Sequence, residues 1–311
     1  MVGTPGNGGA AGGEPAEPVR RPPEIEDPTN LRFIHPLSAR LVPRLAAWGV
    51  HPNAVSAAGM LCGLLAGIAY AHYRDWRWTV AGFALMLAWH VLDGADGQLA
   101  RLTRKQSHLG KVLDGVCDYV TNIAVYVGLA IVLAGQFGGW IWAAAAVSGL
   151  FHAVHCASYE MQREEFALWS AGKHSTALAA LMGETERGPA ASWTHRIADW
   201  LYRPYMRVQL ATAGLSVDFH KRMTAMQKSG DMQAESLRER YRRAFVPALR
   251  QWVAMSANYR TLGIFLCALA GQPLAYFAFE IVGFNVIWLA LLAGQRARRQ
   301  RFLRDLETAS A

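Results

Sequence analysis

Two pairs of aspartates stand where two apolar stretches of this chain meet: Asp93 and Asp96 near the end of one, Asp114 and Asp118 near the start of the next. Spacings of three and four residues put each pair on a single helix face. The connection from Arg101 to Gly110 is short enough to return the chain antiparallel, so the two faces are expected to converge. Four carboxylates brought together in a low-dielectric place repel one another and call for cations. Hard divalent ions resolve that conflict, because Mg²⁺ is held by carboxylates together with substrate phosphates, and paired ions stabilise both ends of a phosphoryl displacement. The chemistry implied is transfer on a phosphate-containing substrate. Gly94, Gly97 and Ala100 leave little bulk on the first helix, which lets a nucleotide or pyrophosphate approach the backbone. Arg101 is placed to pair with a phosphate or to lock a carboxylate. Ordinary loop acids, or polar residues joining helices, are the plainer alternative, and they would need neither the small residues nor the arginine.

The elements that must carry these acids read as membrane helices. Of 311 residues 52% are hydrophobic and 17% charged, against about 25% charged in soluble domains, and the mean hydropathy is positive. Six segments are apolar enough to span a bilayer, at approximately 53–71, 76–97, 111–134, 138–158, 252–271 and 273–294. The basic residues lie beside these runs rather than in a soluble basic domain, so the net charge of +8 indicates membrane orientation and anionic partners, with no nucleic acid. Arg32, Arg40 and Arg44, then Arg101, Arg104, Lys105 and Lys111, then Arg296, Arg298, Arg299 and Arg301 fall on one side if the spans alternate, with only Arg74 and Arg77 opposite. Both termini and the aspartate loop are therefore expected on the cytoplasmic face, in the cytoplasmic membrane.

The expected fold is an all-α integral membrane protein with six transmembrane helices, an N-terminal interfacial amphipathic helix and a cytoplasmic helical insert. Residues 1–30, rich in Gly, Pro and acids and without an apolar signal core, are expected to be a disordered tail. Residues 31–158 hold the amphipathic helix and the first four spans, 159–251 the insert, and 252–311 the last two spans and a basic tail. In the amphipathic helix Leu31, Ile34, Leu37, Leu41, Leu45 and Trp48 form the apolar stripe, and Pro43 is expected to bend or divide it. In the insert, Leu237, Tyr241, Phe245 and Leu249 form a stripe, with breaks expected at Gly188, Pro189, Gly230 and Pro247. Cys62, Cys117, Cys156 and Cys267 lie within apolar stretches without CxxC spacing and read as packing residues.

The segment D-G-A-D-G-Q-L-A-R, followed by eight residues, Gly110, three residues, Asp114, three residues and Asp118, resembles the signature of the CDP-alcohol phosphatidyltransferase family. Eight fixed residues at fixed spacing arise by chance in such a chain with a probability on the order of one in ten million. The resemblance implies six transmembrane helices, a homodimer, a cytoplasm-facing cavity and transfer dependent on two Mg²⁺ or Mn²⁺ ions that releases CMP. By position it implies Asp93, Asp96 and Asp114 as metal ligands and Asp118 as ligand and proton acceptor. Gly97, Ala100, Arg101 and Ser107 match positions that contact the CDP moiety. The run His51-Pro52-Asn53-Ala54-Val55-Ser56 resembles the family's entry to the first span, which places Asn53 and Ser56 near the nucleotide's phosphates.

The expected reaction moves a phosphatidyl or substituted phosphoryl group from a CDP-activated lipid donor, CDP-diacylglycerol first, to the hydroxyl of a small alcohol. CDP-choline or CDP-ethanolamine with diacylglycerol is the alternative, and a divalent-cation transporter is a remote one, because its acids would be spread through the membrane depth. For the acceptor, Asn122 continues the Asp114 and Asp118 face, and His155, Arg163 and Arg260 are further candidates, Arg260 with Arg163 or Lys173 to bind a phosphorylated alcohol. Snorkelling of Arg260, or its pairing with Glu280 or an insert acid, is the alternative expectation, and a hydrogen-bonded packing role is the leading one for His152 and His155. His90, one turn before Asp93, is a candidate hydrogen-bond partner for a metal ligand.

Overall fold

The computed structural model describes residues 23–173, 210–229 and 234–310, together with Ser175, Leu178 and Ala179. Every regular element among them is helical, so the chain is all-α. A π-helical turn at Asn30–Ile34 leads into α1 (His35–Ala47), followed by α2 (Pro52–Tyr70), α3 (Trp76–Leu102), α4 (His108–Phe137) and α5 (Trp140–Ala171). After the insert's undescribed part come α6 (Val217–Ser229), α7 (Ala234–Trp252) and α8 (Ala257–Leu269). The last helix starts as α9 (Pro273–Ala278), widens into a π turn at Phe279–Gly283 and continues as α10 (Phe284–Ser310).

Local sequence sets these boundaries. The Asp75 side chain accepts from the Arg77 N–H at the start of α3, and the Ser107 hydroxyl accepts from the Gly110 N–H at the start of α4. The His51 ring accepts from the Asn53 N–H while Pro52 fills the first turn of α2. Gly172, at φ 64°, closes α5 in the left-handed region.

Among the described residues five stretches are long and apolar enough to cross a membrane: Pro52–Tyr70, Trp76–Leu102, Val112–Phe137, Trp140–Ala171 and Pro273–Thr308. Their outer faces leave Leu61, Ile68, Ile123, Ile131, Val286 and Leu289 exposed, an arrangement a soluble monomer avoids and a lipid-facing one requires. The chain is an all-α integral membrane protein. The segment expected to span at 252–271 is helical only over the 13 residues of α8, about 20 Å at 1.5 Å per residue against roughly 30 Å of hydrocarbon. The 3₁₀ turn Val253–Met255 and the extended Ser256 separate it from α7.

Other expectations also shift. The helix through Pro43 is unbroken from His35 to Ala47. α5 does not stop at residue 158 but runs to Ala171, because its extension buries Gln162, Glu165, Phe166 and Trp169 against the insert and α10. Arg299, counted above as an orientation charge, is buried and bonded to Glu165, Gln162 and the Gly214 carbonyl. Residues 24–30, expected within a disordered tail, are packed: Ile25 and Asp27 are each 1% exposed. Residues 1–22 and the breaks at Gly188, Pro189 and Gly230 lie outside the described residues.

The α2–α4 crossing fixes where the second aspartate pair falls. Gly63 faces Thr121, and Gly67 faces Ala124 and Gly128 so closely that an added methyl at any of these glycines would overlap the opposite helix. Small residues of this kind let helix backbones meet in a membrane. Gly128→Ala would drive its Cβ into the Gly67 carbonyl, and overpacking of that sort typically costs about 1–3 kcal/mol. We expect a lowered unfolding midpoint in detergent, whereas Gly115→Ala, where an added Cβ meets nothing within 4 Å, should leave the midpoint unchanged apart from helix propensity.

Candidate active site

α3 brings Asp93 and Asp96 to its C-terminal part, and α4 brings Asp114 and Asp118 to its N-terminal part. Asp93, Asp114 and Asp118 each offer an oxygen, and the three lie within 4.8 Å of one another. Asp118 Oδ1 is buried without a hydrogen-bond partner in the protein. An orphaned anionic oxygen beside two further carboxylates is the donor set of a hard divalent cation, so these residues fit such an ion. Asp96 stands outside this group of three. It is 6% exposed and accepts a hydrogen bond from the Ser56 hydroxyl of α2.

The acids open on a cavity of about 1030 Å³, large enough for a lipid headgroup with part of its chains. Asp93, Asp114, Asp118, Asn122 and Arg163 line it; Asp96, Asn53, Ser56, Gly97, Ala100, Arg101 and Ser107 do not. Those seven sit at the neighbouring ends of α2, α3 and α4. A Cβ on Gly110 would meet the Ser107 Oγ at 3.0 Å and the Asn53 Oδ1 at 3.5 Å, so these two side chains share one spot over the start of α4. Gly97 meets only the Arg101 Nη1, at 3.5 Å, and its backbone stays approachable. Gly94, expected to make room for a nucleotide, instead receives the Ser38 hydroxyl of α1, which lies 2.8 Å from where a Cβ would be. Ser38 donates to the Val91 carbonyl at 2.7 Å and so seats the amphipathic helix on α3.

The acceptor candidates divide. Asn122 lines the cavity, with one N–H of its amide donating to the Asp118 carbonyl at 2.9 Å. Arg163 lines it too, held by Glu26 at 2.8 Å and Glu160 at 3.2 Å. His155 and Arg260 do not reach it. Arg260 is 1% exposed, pairs with Glu280 at 3.2 Å and meets the His155 Nδ1 at 2.9 Å. Burial at this depth needs a counter-charge, and Glu280 provides it, so the pairing expectation holds and the phosphate-binding one for Arg260 does not. His152 meets the Tyr126 hydroxyl at 3.1 Å, and His90 meets the Thr261 hydroxyl at 2.9 Å rather than an aspartate.

Sequence reasoning missed Asp27, Asn30, Tyr159 and Glu160 as cavity residues. A signal existed for the first two: Asp27-Pro28-Thr29 precedes the apolar Leu31 as a helix-start pattern, and the Thr29 N–H does bond the Asp27 Oδ1 at 2.8 Å.

Comparison with known proteins agrees with this geometry. Residues 49–185 match the family model described as CDP-alcohol phosphatidyltransferase. Cholinephosphotransferase 1 of Gallus gallus is 27% identical over 137 residues, 41% of this chain and 40% of that protein. Archaetidylinositol phosphate synthase of Pyrococcus horikoshii is 35% identical over 92 residues, 30% of this chain and 47% of that protein. Phosphatidylinositol phosphate synthase of Cutibacterium acnes is 26% identical over 119 residues, 38% of this chain and 56% of that protein. The chain thus spans about half the length, or less, of these relatives. The matched stretch contains α2 to α5 and all four aspartates, and through it this chain is similar to the CDP-alcohol phosphatidyltransferase family.

Proposed function

We propose that the protein transfers a phosphatidyl group from CDP-diacylglycerol to the hydroxyl of a small alcohol, releasing CMP. The observation that carries this reading is the convergence of Asp93, Asp114 and Asp118 on a cavity whose other lining includes Val116, Ile123, Val127 and Leu150, a charged reaction centre beside a lipid-compatible wall. Asp93, Asp114 and Asp118, with Asp96 completing the set on the neighbouring face, would hold two Mg²⁺ or Mn²⁺ ions. Ions held there would supply neutralisation of the pyrophosphate charge and so favour the departure of CMP. Asn53, Ser56, Gly97, Ala100, Arg101 and Ser107 form the surface for the CDP moiety, where the Arg101 guanidinium would meet a phosphate oxygen. Asp118 takes the proton of the alcohol as its oxygen attacks the phosphorus bearing the lipid. The bond from that phosphorus to the CMP oxygen breaks, and CMP leaves. The basic residues at the same helix ends favour a site facing the cytoplasm, and the family resemblance implies a homodimer.

A second reading, transfer from CDP-choline or CDP-ethanolamine to diacylglycerol, is favoured by the relatives named cholinephosphotransferase. Purified protein in nanodiscs separates the two. We expect CMP release from CDP-diacylglycerol with an alcohol panel, abolished by EDTA and restored by Mg²⁺ or Mn²⁺. Release only from CDP-choline with diacylglycerol would favour the second reading, and silence in both arms would exclude the transferase reading.

A further inference from the structure

The cavity has a second polar stretch away from the carboxylate cluster, built by Asp27 and Asn30, one turn of α5, and Ser256 and Asn258 at the start of α8. It is ordered by its own bonds. Asp27 accepts from the Ser256 hydroxyl at 2.8 Å, the Asn258 amide at 2.9 Å and the Thr29 hydroxyl at 2.6 Å. Asn30 receives the Asn258 amide at 2.8 Å and donates to Glu26 at 3.1 Å. Glu26 and Glu160 clamp Arg163, whose guanidinium lies 5.2 Å from the centre of the Tyr159 ring.

Two buried donors in this stretch have no partner, the Tyr159 hydroxyl and the Arg163 Nε–H, and both residues line the cavity. Buried donors left in this state are costly, so a ligand supplying oxygen acceptors gains from meeting them. The charge here is three acids, Glu26, Asp27 and Glu160, against one guanidinium, and Arg163 is the one Lys or Arg among the described residues lining the cavity. A phosphorylated alcohol would satisfy the donors but bring its charge against the acids. An ammonium headgroup would suit the charge but offers the donors no oxygen there. A neutral hydroxyl-bearing alcohol meets both conditions.

Resting on the transferase reading above, we infer that this stretch is the subsite for the accepting alcohol and that it takes an uncharged polyol rather than a phosphorylated or ammonium alcohol. Tyr159 and Arg163 donate to its hydroxyls, and the segment from Glu26 to Asn30 closes the subsite.

The test is CMP release from CDP-diacylglycerol by the full chain with glycerol and inositol, with their monophosphates, and with serine and choline. Uncharged polyols are expected to give the highest kcat/KM. Tyr159→Phe, which removes a hydroxyl without a partner and so should fold normally, is expected to raise KM for the polyol about three- to tenfold, the worth of a hydrogen bond, with kcat and the donor KM changing less. Glu160→Gln, at a partly exposed side chain, is expected to narrow discrimination against the monophosphate by about fivefold. A native preference for a monophosphate or ammonium alcohol, or a Tyr159→Phe protein with unchanged polyol KM, overturns the inference while leaving the transferase reading standing. No CMP from any alcohol overturns the reading on which it rests.

Discussion

Asp118→Asn is expected to release CMP about 10² to 10⁴ times more slowly than the native chain, the usual worth of a positioned general base. The amide has the shape of the carboxylate, so the α4 backbone and the Asn122 bond to the residue 118 carbonyl should survive. What is lost is the oxygen that can take a proton, and with it one anionic ligand. Those two losses separate experimentally. Asp93→Asn removes a ligand alone, and excess Mg²⁺ or Mn²⁺ offsets weakened binding by mass action, so its rate should recover as metal is raised. The Asp118→Asn rate should stay low at saturating metal, with Mn²⁺ binding by the folded protein demonstrated by electron paramagnetic resonance. A near-native rate for Asp118→Asn under those conditions would remove Asp118 from the proton-transfer role.

The convergence behind that prediction is legible in the sequence because it depends on short-range geometry: two spacings of one helical turn and a brief connection. Asp96 is not legible in the same way. Its partner Ser56 lies 40 residues away on α2, and only the packing of α2 on α3 shows that one of its oxygens accepts from a hydroxyl. The segment from Glu26 to Asn30 is masked by the composition of the residues before it, although the Asp27-Pro28-Thr29 pattern marks a helix start. The stripe of Leu237, Tyr241 and Phe245 is visible in α7, yet nothing local says that it packs on Phe166, Phe219 and Phe302, which makes the described insert helices part of a shared core. The apolar window at 252–271 reads as a span because hydropathy averages over Ser256, whose extended backbone ends the run.

Arg260 and Glu280 illustrate the same limit and carry the second large effect. Glu280→Gln, or Arg260→Met, is expected to destabilise the protein by about 3–5 kcal/mol, since each leaves a charge buried without its counter-charge. The pair joins α8 to the π turn ahead of α10: the Arg260 Nε and Nη2 each lie 3.2 Å from Glu280 Oε1, and Nη1 donates to the Met255 carbonyl at 2.7 Å. Tyr276 donates to Glu280 Oε2 at 2.9 Å and meets Tyr126 of α4 at 3.1 Å, and Tyr126 meets His152 of α5. A fault at the pair therefore reaches both Tyr126 and His152, which line the cavity. Replacing both charges by uncharged groups removes the desolvation cost as well as the attraction, so Arg260→Met combined with Glu280→Gln should be less damaging than the sum of the singles. Unfolding midpoints of the two singles and the double in one detergent give the coupling directly. Additive losses, or a Glu280→Gln protein as stable as the native one, would mean that the charge pair does not hold these helices together and that the packing of Phe284 over the guanidinium does so instead.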